Sequence, residues 1–251
     1  MDPSRILARA GFLAIALSTA LVIAALAVLP FLSSAFVGFE QSRTGAAALT
    51  GYSPTELRTV TDAILADLVV GPPDFDVEVG GRAVLTEPER SHMRDVRSVF
   101  TGFFLVAAAG FLVLIAAFAA ASRRGRSRRD AWPGVRAGAL ALAIGMVAAG
   151  AVALVAFDIA FEVFHRLFFA SGTYLFDPAT SRLVQLFPDV FWSETAIAVG
   201  GVIVVLAAGV AWLAGRRLRA GAPGPVSAGG KAVGHAEPQP SSPVGERGPA
   251  R

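Results

Sequence analysis

Apolar residues in this chain are gathered into four blocks rather than spread at amphipathic spacing: about Ala10 to Phe36, Val99 to Ala121, Ala137 to Phe157 and Ala196 to Ala214. At about 1.5 Å per residue, each block is long enough to cross most or all of a hydrocarbon core roughly 30 Å thick, so each predicts a membrane-spanning helix. The first block is too long for the core of a secretory signal, and Pro30-Phe31 stand where a cleavage site would lie, which reads as a retained span. The resulting division is 1–36 for the N-terminus and first span, 37–98 for a long connection, 99–121 for the second span and 122–134 for a short connection. After these come 135–165 for the third span with a polar extension, 166–195 for a second connection, 196–215 for the fourth span and 216–251 for a tail.

The two longer connections carry patterns of their own. Ser53-Pro54-Thr55-Glu56 is a capping box with proline at the first helical position, and Leu57, Val60, Ile64, Leu65 and Leu68 follow at helical spacing, so a short amphipathic helix is predicted over about Pro54 to Leu68. Gly71-Pro72-Pro73 ends it. Phe75, Val77 and Val79 then alternate with Asp76 and Glu78 up to Gly80-Gly81, a hairpin signal. A second capping box, Thr86-Glu87-Pro88-Glu89, starts a helix about three turns before the second span. In the later connection, apolar residues on either side of Asp177-Pro178 predict a second hairpin, which with the first would build a small four-stranded sheet. The expected fold is therefore a membrane α-helical one: four transmembrane helices with a small extracytoplasmic α/β cap, made of a short helix plus β-hairpins.

Composition sharpens the picture. Of 251 residues, 54% are hydrophobic and only 16% charged, as a polytopic membrane protein requires. The net charge of +3 resembles a nucleic-acid signal until the cations are located. Arg5 and Arg9 precede the first span, Arg123, Arg124, Arg126, Arg128 and Arg129 fill the short connection, and Arg216, Arg217 and Arg219 follow the fourth span. All three clusters fall on one side, which the positive-inside rule makes cytoplasmic; both termini are then inside, the partners are membrane lipids, and no nucleic acid is called for. No cysteine is present, which excludes disulfides and thiol nucleophiles. From Gly221 the tail is rich in Gly, Pro, Ser and Ala and is expected to be disordered. His235 lies within it and is given no role.

Candidate chemistry sits where two spans leave the lipid. Asp158, Glu162 and His165, at i, i+4 and i+7, make one polar stripe flanked by Phe157, Phe161, Phe164 and Phe168. Such a stripe at a helix mouth is costly and belongs against a bundle interior or a water-filled cavity. Glu89, His92 and Asp95 make a matching stripe before the second span, with each acid a turn from the imidazole and able to hold it in one orientation. Each histidine lies seven or eight residues beyond its apolar boundary, so the two are expected at similar depth on the outer side. An imidazole can take a proton and return it, which acyl transfer from an ester to an amine requires. Three readings stay open on these residues alone: a pair of catalytic histidines, a non-enzymatic envelope scaffold or lipid-binding protein, and a metal site drawn from His92, His165, Asp158 and Glu162. The spacing demands no metal and calls for no cofactor. No HExxH, G-x-S-x-G or glycine-rich phosphate loop is present.

The run Leu85-Thr86-Glu87-Pro88-Glu89-Arg90-Ser91-His92-Met93-Arg94-Asp95-Val96, with Phe164-His165-Arg166-Leu167-Phe168-Phe169 and the segment from Asp177-Pro178 through Arg182-Leu183-Val184-Gln185-Leu186-Phe187-Pro188 to Trp192, resembles the four-span family of lipoprotein intramolecular transacylases. The resemblance covers about residues 10 to 215. It implies an extracytoplasmic β cap on the bundle and a bacterial cytoplasmic membrane location with the active site outside. The implied activity moves the sn-2 acyl chain of a diacylated lipoprotein from its diacylglyceryl-cysteine to the α-amine of that cysteine, giving the lyso form. The resemblance implies a catalytic pair matching His92 and His165, and Asp95 matches an acid of the first block; Glu162 and Asp158 come from helical spacing only.

Overall fold

The computed structural model describes residues 2–123, 131–170 and 172–220. The expected disorder of the tail beyond residue 220, and most of the Arg-rich connection, lie outside the described residues. Among the described residues, four helices are long and apolar enough to cross a membrane: Pro3–Leu32, Glu87–Ala121, Trp132–Phe168 and Asp189–Arg219. The first is α1 (Pro3–Val28) continued by a 3₁₀ turn (Leu29–Leu32). It stops short of the expected Phe36 because Pro30 lacks the N–H a longer helix needs, and Ser33 starts a new one by accepting the Phe36 N–H at 3.3 Å. That new helix, α2 (Ser34–Thr44), and the single turn α3 (Ala46–Thr50) lead into α4 (Pro54–Val69). Then follow β1 (Glu78–Val79), β2 (Arg82–Ala83), α5 (Glu87–Arg123), α6 (Trp132–Phe168), α7 (Arg182–Leu186) and α8 (Asp189–Arg219).

At one end of the bundle, small residues bring helices close. A Cβ on Gly138 of α6 would collide with the Ala16 backbone of α1, and on Gly134 it would lie 2.8 Å from Ile15. Ile23, Ala139, Ala207 and Ala211 make an interlocked cluster there from α1, α6 and α8. With no hydrophobic drive between helices in lipid, such close backbone approach is what holds them. α1 packs against α5, α6 and α8, and α6 packs along α8. Arg216, Arg217 and Arg219 occupy the last turn of α8, where cations complement the helix dipole.

The other end is closed by the cap. The capping box of Ser53 and Glu56 forms in both directions, with Ser53 N–H donating to Glu56 Oε2 at 2.9 Å and Glu56 N–H to Ser53 Oγ at 3.3 Å. α4 turns Leu57, Val60 and Ile64 inward onto Phe75, Val77, Val84, Leu85, Met93, Leu183 and Leu186. Gly80 and Gly81, at φ 58° and 72°, make the tight turn between β1 and β2, which pair antiparallel over two residues each. Arg97 of α5 closes the C-terminus of α4 by donating to the carbonyls of Asp67 and Gly71.

Among the described residues the second hairpin, and with it the four-stranded sheet, does not form. Ser181 Oγ accepts the Val184 N–H at 3.2 Å and nucleates α7 over residues expected to be a strand. Asp177 Oδ1 takes the Ala179 N–H at 2.9 Å just before it, fixing a turn instead of a strand end. Among the described residues the cap holds one two-stranded ladder and is otherwise helical.

Candidate active site

His92 lies in the second turn of α5, two turns above the start of the apolar stretch at Val99, and His165 lies in the last turn of α6. A break at Ala156, with φ −148° and ψ 46°, separates the Phe157–Phe168 end of α6 from the span beneath. Residues 73 positions apart in the chain are thereby brought together: the His92 and His165 ring centroids are 6.0 Å apart with the planes inclined by 24°. Both are buried, at 7% and 8% exposure.

Aromatic side chains enclose the pair. Phe169 meets His92 at 4.9 Å and His165 at 5.3 Å, so one ring spans both imidazoles. Phe176 closes on His92 at 5.8 Å, while Phe161 and Tyr174 cover His165 at 4.1 and 4.9 Å. This wall excludes water, and inside it a proton donor or acceptor acts more strongly than it would in solvent.

The hydrogen bonds assign one tautomer. His165 Nδ1 lies 2.8 Å from the Phe161 carbonyl oxygen, which can only accept, so Nδ1 carries the proton and the Nε2 lone pair is free to take another. His92 Nδ1 is buried without a hydrogen-bond partner. Burial, reinforced by the neighbouring His165 and partly opposed by Asp95, lowers the His92 pKa from 6.5 to about 4, so this ring is neutral at ordinary pH. A buried polar nitrogen with no protein partner is costly, and a substrate group can satisfy it.

The expected supporting acids are placed differently from one another. Asp95 is exposed and acts on His92 only through its charge. Glu162 is half-buried and does not touch an imidazole: it accepts from Arg166 Nε at 2.8 Å and from the Tyr174 hydroxyl at 3.3 Å, thereby steadying the ring that covers His165. Asp158 is exposed on the helix end below. Among the described residues no three histidine, aspartate or glutamate side chains are gathered as metal ligands would be, so the four residues considered for a metal site do not converge.

Glu89 is also not the orienting partner of His92 that its one-turn spacing suggests. Its side chain turns away and is 1% exposed, accepting from Thr86 N–H and Thr86 Oγ1 at 2.7 Å each, Ser181 Oγ at 2.5 Å and Leu183 N–H at 3.0 Å. Burial raises its pKa, but the donors from Ser181, Leu183 and Thr86 outweigh that effect and hold the carboxyl below its usual range. Glu89 thus ties the start of α5, one turn before His92, to the start of α7. A companion tie joins α2, α4 and α7: Thr61 Oγ1 donates to Gln41 Oε1 at 2.8 Å, and Gln41 Nε2 donates to the Leu186 carbonyl at 3.3 Å. Neither tie, nor the Phe169, Phe176 and Tyr174 enclosure, was expected from the sequence; the Thr86-Glu87-Pro88-Glu89 capping box was the available signal for Glu89.

Comparison with known proteins gives this geometry a context. The fold matches the structure of the membrane integral lipoprotein intramolecular transacylase Lit from Bacillus cereus, with a TM-score of 0.70 at 18% identity over 85% of this chain and 96% of that one. Two further structures of that protein, each with one histidine replaced, by arginine or by alanine, match at TM-scores of 0.69 and 0.68. No curated protein matches by sequence. A family model described as lipoprotein intramolecular transacylase Lit matches residues 12–192, well over half of the sequence, and the chain belongs to this family of membrane transacylases.

Proposed function

We propose that His92 and His165 are the catalytic pair for the family's intramolecular acyl transfer on lipoproteins, and that the chain moved is the sn-2 acyl group of the diacylglyceryl-cysteine. The observation that carries this reading is the 6.0 Å separation of two buried imidazoles from distant parts of the chain. Hydrogen bonds of about 3 Å from each side let both rings reach one tetrahedral centre.

The cysteine α-amine must be neutral to attack. His165 Nε2 accepts its proton as the new C–N bond forms at the ester carbonyl, since Nδ1 is already engaged with Phe161. His92, neutral and without a competing partner, donates a hydrogen bond to the oxyanion. Protonated His165 then returns its proton to the sn-2 oxygen as the C–O bond breaks, leaving an amide and a free hydroxyl, with no water consumed. Asp95 supports the ring of His92 through its charge, and Glu162 supports His165 through Tyr174. Asp158 lies in line below His165, available to an incoming ammonium.

The same reading sets the protein in a bacterial cytoplasmic membrane with both termini inside, supported by Arg5 and Arg9 before α1 and the arginines ending α8. The histidines, at the opposite ends of α5 and α6, then face outward. The cationic ends serve lipid head groups rather than nucleic acid. Mass spectrometry of lipoprotein N-terminal peptides from cells expressing the chain tests the proposal: conversion of diacyl to lyso forms is expected, and unchanged diacyl forms overturn it.

A further inference from the structure

The two helices that carry the histidines meet at their tips but not along the membrane. Within the bundle α5 packs mainly against α1, while with α6 it shares the histidine pair at one end and Phe118 against Trp132 at the other. α6 is buried at Gly134, Val135, Gly138 and Ala139, and then at no residue until His165. Between these points it exposes Ile144, Val147, Val152, Leu154 and Val155. On α5, nothing between Met93 and Ala107 is fully buried. Gly110 then closes on α1, where a Cβ would stand 3.3 Å from Ser18. An apolar gap therefore runs below the histidine pair between α5 and α6, with α1 behind it, and ends near Ala107 and Gly110. From Val99 to Gly110 the distance along α5 is about 16 Å, close to half of a hydrocarbon core.

We infer that this gap is the seat of the acyl chains of the diacylglyceryl group, admitted sideways from the outer leaflet. The inference rests on the transacylase reading above. Three features favour this occupant over a protein helix: the gap opens to lipid, it is one leaflet deep, and its upper end is continuous with two imidazoles that must reach an ester at the head-group boundary. On α5, Val99 and Phe103 stand seven and eleven residues below His92, within about 20° of the same helix face. Both are half-buried. On α6, Phe161 and Asp158 lie beneath His165 beyond the break at Ala156. An apolar lining with Asp158 and Asp95 at its upper margin suits chains below and an ammonium above.

The test is Val99→Trp, which places a large ring in the gap two turns below His92, assayed on purified protein in vesicles with a diacylglyceryl-cysteinyl peptide bearing palmitoyl or butyryl chains. A butyryl chain does not descend the roughly 10 Å from His92 to Val99. The expected result is loss of palmitoyl transfer by about tenfold or more with butyryl transfer kept within about twofold. Leu105→Trp, on a lipid-facing side more than about 120° around the helix, should match wild type on both substrates. Equal rates of Val99→Trp and wild type on palmitoyl substrate overturn the inference. If Val99→Trp loses both substrates, Val99→Phe decides: selective loss of the palmitoyl substrate supports the seat, and parallel loss or no loss overturns it. A wild-type protein inactive on both substrates would instead defeat the transacylase reading.

Discussion

The two ends of this bundle are held by different physics. At the end where α6 begins, helices touch through Gly134, Gly138, Ala139, Ala207 and Ala211, and at Gly138 the α1 backbone stands so close that a Cβ would collide with it. At the histidine end, the chain is joined by buried polar ties, Glu89 to Ser181 and Leu183, and Gln41 to Thr61 and Leu186, around an apolar core from α3, α4, α5, α7 and the segments flanking the β1–β2 hairpin. Small-residue packing tolerates no gap; polar ties let helices separate below a closed roof. That contrast explains how α5 and α6 can be apart in the bilayer and still present His92 and His165 to each other.

The contrast can be broken from either side. The largest effect is expected for Gly138→Leu, whose side chain collides with Ala16 backbone that cannot move aside: a loss of about 4 kcal/mol or more, read as failure to recover folded protein in detergent. Glu89→Ala leaves the donors of Thr86, Ser181 and Leu183 unmet and should cost about 3 kcal/mol. Its signature is early protease cleavage within 166–188, with the membrane helices protected.

Acid should weaken the cap before the small-residue end. His92 resists protonation when folded but not when unfolded, so stability is full above pH 6.5 and declines as pH falls toward about 4, by on the order of 2 kcal/mol. Glu89 has the opposite chemistry and the same direction: its carboxylate form stabilises above its ordinary value of 4.5, and that contribution is lost as pH falls through its lowered folded value. Thermal melts between pH 7 and 4 should therefore steepen their decline in wild type and be flatter in His92→Gln. The smallest effect is expected for Tyr174→Phe, which removes the hydroxyl that meets Glu162 at 3.3 Å but keeps the ring on His165. It should lower turnover by about threefold, near 0.6 kcal/mol, without changing the melting temperature.

Much of this architecture was legible in the chain because its signals are local. Four apolar blocks, the capping box at Ser53 and the Gly80-Gly81 turn each specify an element without help from elsewhere, and each formed. Offsets of seven and eight residues for His92 and His165 from their spans anticipated a similar depth, and they lie together. What escaped depended on competition or on distance. The segment 182–186 carries strand-forming residues, but the Ser181 hydroxyl offered its backbone a helical start. Pro30 and Ser33 split an apolar run that hydropathy alone joins. Glu89 could be placed by spacing a turn from His92, yet its partners lie more than ninety residues away, at Ser181 and Leu183. The break at Ala156 has no proline or glycine to announce it, and nothing in the structure explains its position.

The central claim is that the two imidazoles act on one ester as a unit. Single-turnover conversion of a diacylglyceryl-cysteinyl peptide by wild type, His92→Ala, His165→Ala and the double variant tests it most directly, with insertion and melting temperature held as controls. Each single substitution should slow conversion by about a hundredfold or more, and the double variant should be scarcely slower than the worse single. Losses that multiply, or a single variant that converts peptide at the wild-type rate, would contradict it.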